Sequence, residues 1–414
     1  MSSPSLSARS DAPAVATHAG LDGKRVAMVT FSSYPADPRP RRALEALRNQ
    51  GMSVDLICLA DDNTPRREVS SRLNVLRLPI QHRRGGILSY AYTYSTFILA
   101  CTVILAIRAL RRRYQLVYVH NMPDILVACA LVPKLLGAKV ILDQHDPMPE
   151  LLTTIFSLRE DSLSVRAMKW LEKWSIARAN AVVTVNVACQ RLFASRSCRS
   201  AKITVVMNTP DEKIFPVRPP VSQRSGNPET KRFVIMYHGS LVERNGLDLA
   251  IEALARVRES IPGAELRICG RKTPFLEKVL DDVRGRSLEP WVRYLGPKSL
   301  EGLVDEIEQC DVGIIPNQRN AFTEINTPTR IFEYLALGKP VIAPRARGIC
   351  DYFNAGSLIF FELGDVQDLA KMIEYVSFHK AEVTEIVERG QEVYRDHSWP
   401  EERRRLTSLV ADLC

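Results

Sequence analysis

The chain has 414 residues, 25% of them charged and 46% hydrophobic, the proportions of a folded soluble protein rather than a fibrous or disordered one. That length suits two or three domains, at roughly 100–200 residues each. The net charge of +9 is compatible with phosphates, anionic lipid or nucleic acid and selects none of them, and the nine scattered cysteines form no CxxC and no zinc spacing.

Taken in chain order, residues 1–20 are rich in Ser, Ala and Pro, lack a signal-peptide core and read as disordered. Short β-branched runs then alternate with helical patterns: strand "KRVAMVTF", a helix over 38–49, strands "SVDLICLA" and "NVLRLP", a long apolar segment, and strand "QLVYVH". A helix over 123–136, strand "AKVILD", a helix over 164–179 and strands "AVVTVN" and "KITVVM" complete the first half. The Pro- and Ser-rich stretch 216–231 reads as a linker. Alternation restarts with "RFVIMYHG", "AELRICG", "VRYLG", "DVGIIP", "PVIAP" and "LIFF", each followed or preceded by a helix; segments over 382–395 and 400–412 close the chain. Strand–helix alternation implies parallel sheets with right-handed crossovers. The expected architecture is α/β: two facing Rossmann-like domains, 21–215 and 232–397, with a cleft between them as the default site.

The uncharged run 85–107, flanked by Arg83, Arg84 and "RALRRR", is long enough to span a bilayer. A span would leave strands of one sheet on opposite sides of the membrane, and Ser89, Thr93 and Thr96 form a small polar stripe. The readings that remain are a helix buried in the first domain and a helix that also leans on a membrane, with peripheral contact through 83–113.

Thr327 suits an N-cap and Pro328 the first helical position, so a helix is expected from about 328. Its free N–H groups and dipole suit a phosphate. Glu333, nearly two turns in, is too deep to cap; it either reaches along the helix to accept two hydroxyls, as from a ribose, or is a plain partly exposed helix glutamate. Upstream, "YHGSLVERNG" (237–246) follows a strand and precedes a helix; Gly239 permits close backbone approach, and Arg244 brings charge to the same loop.

The segments "HGSLVERNGLDLAIEAL", "AELRICG", "VRYLGPKSLEGL", "CDVGIIP" and "PTRIFEYLALGKPVIAP" resemble, in order and spacing, the donor half of retaining glycosyltransferases of family 4, with the GT-B fold. "SYPADPRPRRALEALRNQGMSVDLICL", "LVYVHNMPDILVACALVPKLLGAKVILDQHD" and "ITVVMNTPD" resemble the first half, and "HSWPEERRRLTSLV" resembles the closing helix (398–414) that crosses back to the first domain. The resemblance covers about residues 24 to 412. It implies transfer of a sugar from a nucleotide-diphosphate donor with retained anomeric configuration and neither metal nor cofactor. In the family's E-x7-E motif the first Glu meets the donor sugar and the second the ribose; Glu333 matches the second, the first falls on Ile325, and Glu324, one residue early, is the catalytic candidate if a bulge in the loop restores it to that place. Ser240 stands where an Arg is common and Asn245 where a Lys is common, so the phosphate charge is expected to fall to Arg244. Asn326, Thr327, Pro328 and Thr329 would complete the donor site.

From the first domain, His120 ends a strand and would, by the resemblance, sit near the transferred sugar. Asp143, His145 and Asp146 end another strand and suit acceptor positioning, with satisfaction of loop backbone as the equal alternative. The loop 32–42, with Asp37, Arg39, Arg41 and Arg42, suits a mobile lid, an anionic acceptor or plain solvated charge. The leading expectation is a cytoplasmic glycosyltransferase taking a nucleotide-sugar and a glycan or lipid-linked acceptor, as in envelope or exopolysaccharide synthesis, with no nucleic-acid partner. A nucleotide-sugar epimerase and a non-catalytic nucleotide-binding partner of a membrane assembly are the other readings. A nicotinamide oxidoreductase is disfavoured, since neither half opens with GxGxxG.

Overall fold

A computed structural model describes residues 19–61, 64–80, 87–220 and 232–414. The first domain is built on an eight-stranded sheet: β1 (Arg25–Ser33), β2 (Ser53–Leu59), β3 (Arg67–Ser70), β4 (Leu73–Leu78), β5 (Leu116–His120), β6 (Lys139–Gln144), β7 (Ala181–Thr184) and β8 (Ile203–Val205). Their order is β3-β4-β2-β1-β5-β6-β7-β8, parallel throughout except for the antiparallel edge β3. The second domain holds β9 (Phe233–His238), β10 (Ala264–Cys269), β11 (Val292–Gly296), β12 (Val312–Ile314), β13 (Val341–Pro344) and β14 (Ile359–Phe361), ordered β11-β10-β9-β12-β13-β14.

Both sheets are buried on two faces, which is why their central strands read as nearly continuous apolar runs. One face of the first sheet packs Val29, Val117, Val119 and Leu142 under Phe97, Cys101 and Leu105 of the long apolar helix, Ile87–Arg111. Every fourth residue of that helix from Thr93 to Ala109 is buried, so one stripe of it belongs to the domain core. The other face carries the helix Pro38–Asn49 and, from the far end of the chain, the closing helix Trp399–Leu413, whose Leu406 and Val410 are fully buried among Val26, Met28 and Leu116. The Glu402 carboxylate accepts the Met207 amide at 2.8 Å and so pins that return.

Two differences from the sequence reading stand out. The segment expected as one helix over 123–136 is a 3-10 turn, Asp124–Ala130, followed by a short helix, Leu131–Leu135. The chain passes to the second domain earlier than the Pro-rich stretch: Met207 and Phe215 already pack in its core, and Arg218 N–H donates to Ala336 O at 2.7 Å. Composition marks where polarity begins, not where packing changes sides. Residues 221–231 of the expected linker and 1–18 of the expected disordered segment lie outside the described residues, while Leu21 is buried.

Candidate active site

In parallel sheets the strand carboxyl ends face the cleft. From the first domain these ends deliver His120 (β5) and Asp143 (β6), with His145 and Asp146 just beyond; from the second, His238 (β9) and the loop that starts at Gly239.

Gly239 has φ of +120°, and a side chain there would press on the Arg330 Cδ at 3.3 Å. The loop closes on itself: Tyr237 OH and Asn245 Nδ2 both donate to Ser240 O at 2.8 Å. Gly246 (φ +67°) ends it, and a Cβ there would collide with the Pro316 carbonyl oxygen. Asn245 is therefore a loop brace, while Gly239 and Ser240 remain exposed to the cleft.

The cleft helix, Thr329–Ala336, starts one residue later than expected. Pro328 occupies the N-cap position, and no side chain caps the helix. The Thr327 hydroxyl is drawn elsewhere, donating to Gly348 O at 2.6 Å and accepting from Asn186 of the first domain at 3.0 Å. Ile331 N–H turns back to Pro328 O at 3.1 Å, while the Thr329 and Arg330 amides have no side-chain cap among the described residues. Asn326 brings a buried Oδ1 without a partner to the same turn.

Arg330 is the residue that the sequence reading missed. It sits in the first turn, where the helix dipole disfavours a cation. Its guanidinium lies over the Tyr237 ring at 4.9 Å and donates to His238 O at 2.7 Å, bringing it beside Gly239. Among the described residues neither Arg330 nor Arg244 has an ion-pair partner. Arg244 lies over the Phe322 ring at 5.8 Å; burial lowers its pKa, and Asp146 across the cleft acts against that. A cation at a helix N-terminus, where the dipole disfavours it, was the signal the sequence offered for Arg330.

Glu333 Oε2 lies 3.3 Å from His238 Nε2 but out of hydrogen-bond alignment, and the His nitrogen has no partner. Burial pushes the Glu333 carboxyl up to about 7, with Arg330 and Arg42 pulling the other way. Burial and then Arg330 hold the His238 imidazole well below its ordinary value. The contact therefore joins a neutral imidazole to a carboxyl on the edge of ionising, not a salt bridge. Glu333 is near a second cation from the opposite domain, Arg42, whose own pKa is lowered by burial to about 10.

The first-domain residues form one network. Arg39 grips Asp143 with Nη2–Oδ1 at 2.6 Å and Nε at 3.1 and 3.2 Å, and Tyr118 OH donates to Asp143 Oδ2 at 2.9 Å. Burial pushes the Asp143 carboxyl up, but Arg39, followed by His145 and His120, outweighs it and holds the group well below the usual carboxylate range. His120 Nδ1 lies 2.9 Å from His145 Nε2, and His120 Nε2 is buried without a partner. Burial holds His145 neutral and raises Asp146. His120, Asp143 and His145 offer ligand atoms within 4.8 Å of one another, but Arg39 and Tyr118 already occupy the Asp143 oxygens.

Two expected placements are corrected. The segment 37–42 is not a lid: Asp37 caps the helix Pro38–Asn49 by accepting Arg39 N–H at 3.2 Å, and Arg39 and Arg42 are buried, held by Asp143 and Asn208. Arg41 is half-buried with its Nε unpartnered. Glu324 pairs with Arg347 at 3.4 Å, while Ile325, in the place of the motif's first Glu, packs into the first domain's core. No bulge restores Glu324: its amide donates to Asn320 O and its carbonyl accepts Gly348 N–H, which fixes the register.

Comparison with known proteins agrees with this layout. Residues 36–209 match the model of a glycosyl transferase 4-like domain, and 232–377 that of glycosyl transferases group 1. A probable glycosyltransferase, WbjE, of Pseudomonas aeruginosa is 23% identical over 54% of this chain and 55% of its own length. The D-inositol 3-phosphate glycosyltransferase of Corynebacterium kroppenstedtii is 26% identical over 43% of this chain and 40% of its own. The matches thus span about half the length of these curated relatives or less. Among solved structures, the sucrose-phosphate synthase of Thermosynechococcus elongatus superposes with a TM-score of 0.77 at 16% identity, over 94% of this chain and 99% of that one. The Anabaena protein HepE, solved with UDP-glucose, gives 0.69 at 14% identity over 94% and 99%.

Proposed function

The chain belongs to the group 1, GT4-like glycosyltransferases of GT-B fold, enzymes that transfer sugars, and on that premise we propose that it moves a sugar from a nucleotide-diphosphate donor to a hydroxyl of a glycan or lipid-linked acceptor with retention. The observation that carries this reading is the pair of cations without ion-pair partners, Arg244 and Arg330, set beside an exposed glycine turn and an uncapped helix N-terminus. Such a surface has its charge met by a diphosphate. Glu333, at the other end of the same helix face, takes the ribose hydroxyls when ionised. The similar Anabaena HepE structures, solved with UDP and with UDP-glucose, support a nucleotide-sugar as donor.

In this mechanism the two guanidinium groups and the first-turn amides stabilise charge that builds on the departing diphosphate. The anomeric carbon becomes oxocarbenium-like, and the acceptor oxygen attacks from the face the phosphate leaves. The leaving phosphate oxygen takes the acceptor proton. His120, with its free Nε2 at the strand end, holds a sugar hydroxyl; Arg39 fixes Asp143 and through it the two histidines. Asp146 and the His145 edge line the acceptor side. Closure of the domains excludes water and so limits hydrolysis.

A thermal-shift panel of UDP, GDP, ADP and their sugars tests this. One nucleotide is expected to raise Tm, and the Glu333→Ala variant to lose that rise. No rise with any nucleotide, or an unchanged rise in the variant, contradicts the reading.

A further inference from the structure

The long apolar helix Ile87–Arg111 has two apolar faces, and the core uses one. Thr93, Phe97, Cys101, Leu105 and Ala109 are buried. On the opposite side Tyr92 is 72% exposed, Leu99 65%, Val103 49%, Ile107 46% and Leu110 71%. These residues make a ridge roughly 27 Å long at 1.5 Å per residue. The neighbouring short helix adds Leu135, 87% exposed, and the helix Leu163–Arg178 in the same layer adds Trp170, 63% exposed.

The charge of this layer is one-sided. Arg111, Arg112 and Arg113 end the ridge helix in exposed positions, and Lys134 and Arg178 meet at the same edge, where Lys134 Nζ donates to Arg178 O. The helices Ile87–Arg111 and Leu131–Leu135 contain no acidic residue. The one acid of Leu163–Arg178, Glu172, is fully buried and held by Arg196. An apolar ridge bordered by uncompensated cations is complementary to anionic headgroups over acyl chains. It is a poor complement to itself: a second copy docked face to face would bring these cations together, and none of the three helices carries an exposed carboxylate to meet them; the exposed Glu160 and Asp161 lie on the loop before Leu163, Asp161 paired with Arg159.

We propose that this face seats the protein on an anionic lipid bilayer. The seating has a direction. Phe31, at the cleft end of β1, packs edge-on against Tyr94 and Phe97 of the ridge helix at 4.7 and 5.0 Å. The amino-terminal end of the ridge therefore reaches the cleft, and its arginine end the opposite rim of the sheet. A bilayer under the ridge runs up to the mouth of the site, so the acceptor would be a hydroxyl carried at a lipid headgroup; this second step rests on the transferase reading, the seating itself does not.

The test is co-sedimentation of the full chain with vesicles of phosphatidylglycerol and phosphatidylcholine, against phosphatidylcholine alone. Binding at least tenfold tighter to the anionic vesicles is expected, weakening with salt. The Leu99→Glu/Leu110→Glu variant changes only exposed positions and should lose that binding tenfold or more, while keeping whatever nucleotide-induced Tm rise the parent shows. Equal binding to both vesicles, no binding, or unchanged binding by the variant overturns the proposal. So does a dimer in solution that the variant dissolves, since a second copy then covers the ridge. Loss of the nucleotide effect in the parent would sink the donor reading and leave the vesicle result standing.

Discussion

Glu333 is the residue where environment and function pull hardest against each other. Its pKa rises from 4.5 to about 7 because burial penalises the charge more than Arg330 and Arg42 relieve it. A carboxyl whose folded pKa is raised destabilises the fold as pH climbs from the unfolded value to the folded one, then no further. The cost is about 3 kcal/mol at 1.36 kcal/mol per unit. Glu333→Gln should therefore be more stable than wild type at pH 8 and nearly equal at pH 4.5, in urea titrations at the two values. The opposite sign holds for Asp143. Its carboxyl is held low, so its contribution is present above pH 3.9 or so and lost only on further acidification. Asp143→Asn would leave Arg39 buried against a neutral partner. A loss of about 3–5 kcal/mol is expected, and Arg39→Met in the same background should recover part of it.

At the scale of elements, the loop 239–246 depends on Gly246. A side chain there faces both a left-handed φ and the Pro316 carbonyl. Gly246→Ala should cost about 2 kcal/mol or more, and because the loop carries Arg244 it should also blunt any nucleotide-induced Tm rise; thermal melts with and without nucleotide measure both. Most elements were legible. The helix Pro38–Asn49 has an Asp N-cap and a Pro pair at its start, and β1, β5 and β9 are β-branched runs. What escaped is instructive. The edge strand β3, "REVS", is exposed and polar, so no pattern distinguishes it from a loop. The helices Met148–Phe156 and Val187–Arg196 are short, and the second is specified by an Asn186 cap whose amide also reaches across to Ile325 and Thr327. Of the site, Glu333, Gly239 and Arg244 followed from local pattern. Arg330 did not, because its meaning lies in a ring and a glycine on another strand.

For the whole molecule, the two domains are joined by contacts between segments that follow their strands. Asn186 donates to Ile325 O at 2.8 Å, Val187 N–H donates to Tyr352 OH at 2.8 Å, and Arg191 pairs with Asp351. The closing helix ties the far side, with Arg42 lying over the Trp399 ring at 5.3 Å. One set of contacts therefore brings Asp146 opposite Arg244, and Arg42 opposite Glu333. This closeness is what a two-domain transferase needs to shield a reactive sugar from water. The proposed function requires that the diphosphate be the group these lobes hold. Isothermal titration with the best-binding nucleoside diphosphate, the matching nucleoside, and the Arg330→Ala variant measures that directly. At least tenfold weaker binding is expected when either the diphosphate or the Arg330 guanidinium is removed. Equal affinity for nucleoside and diphosphate, or an unaffected variant, would contradict it.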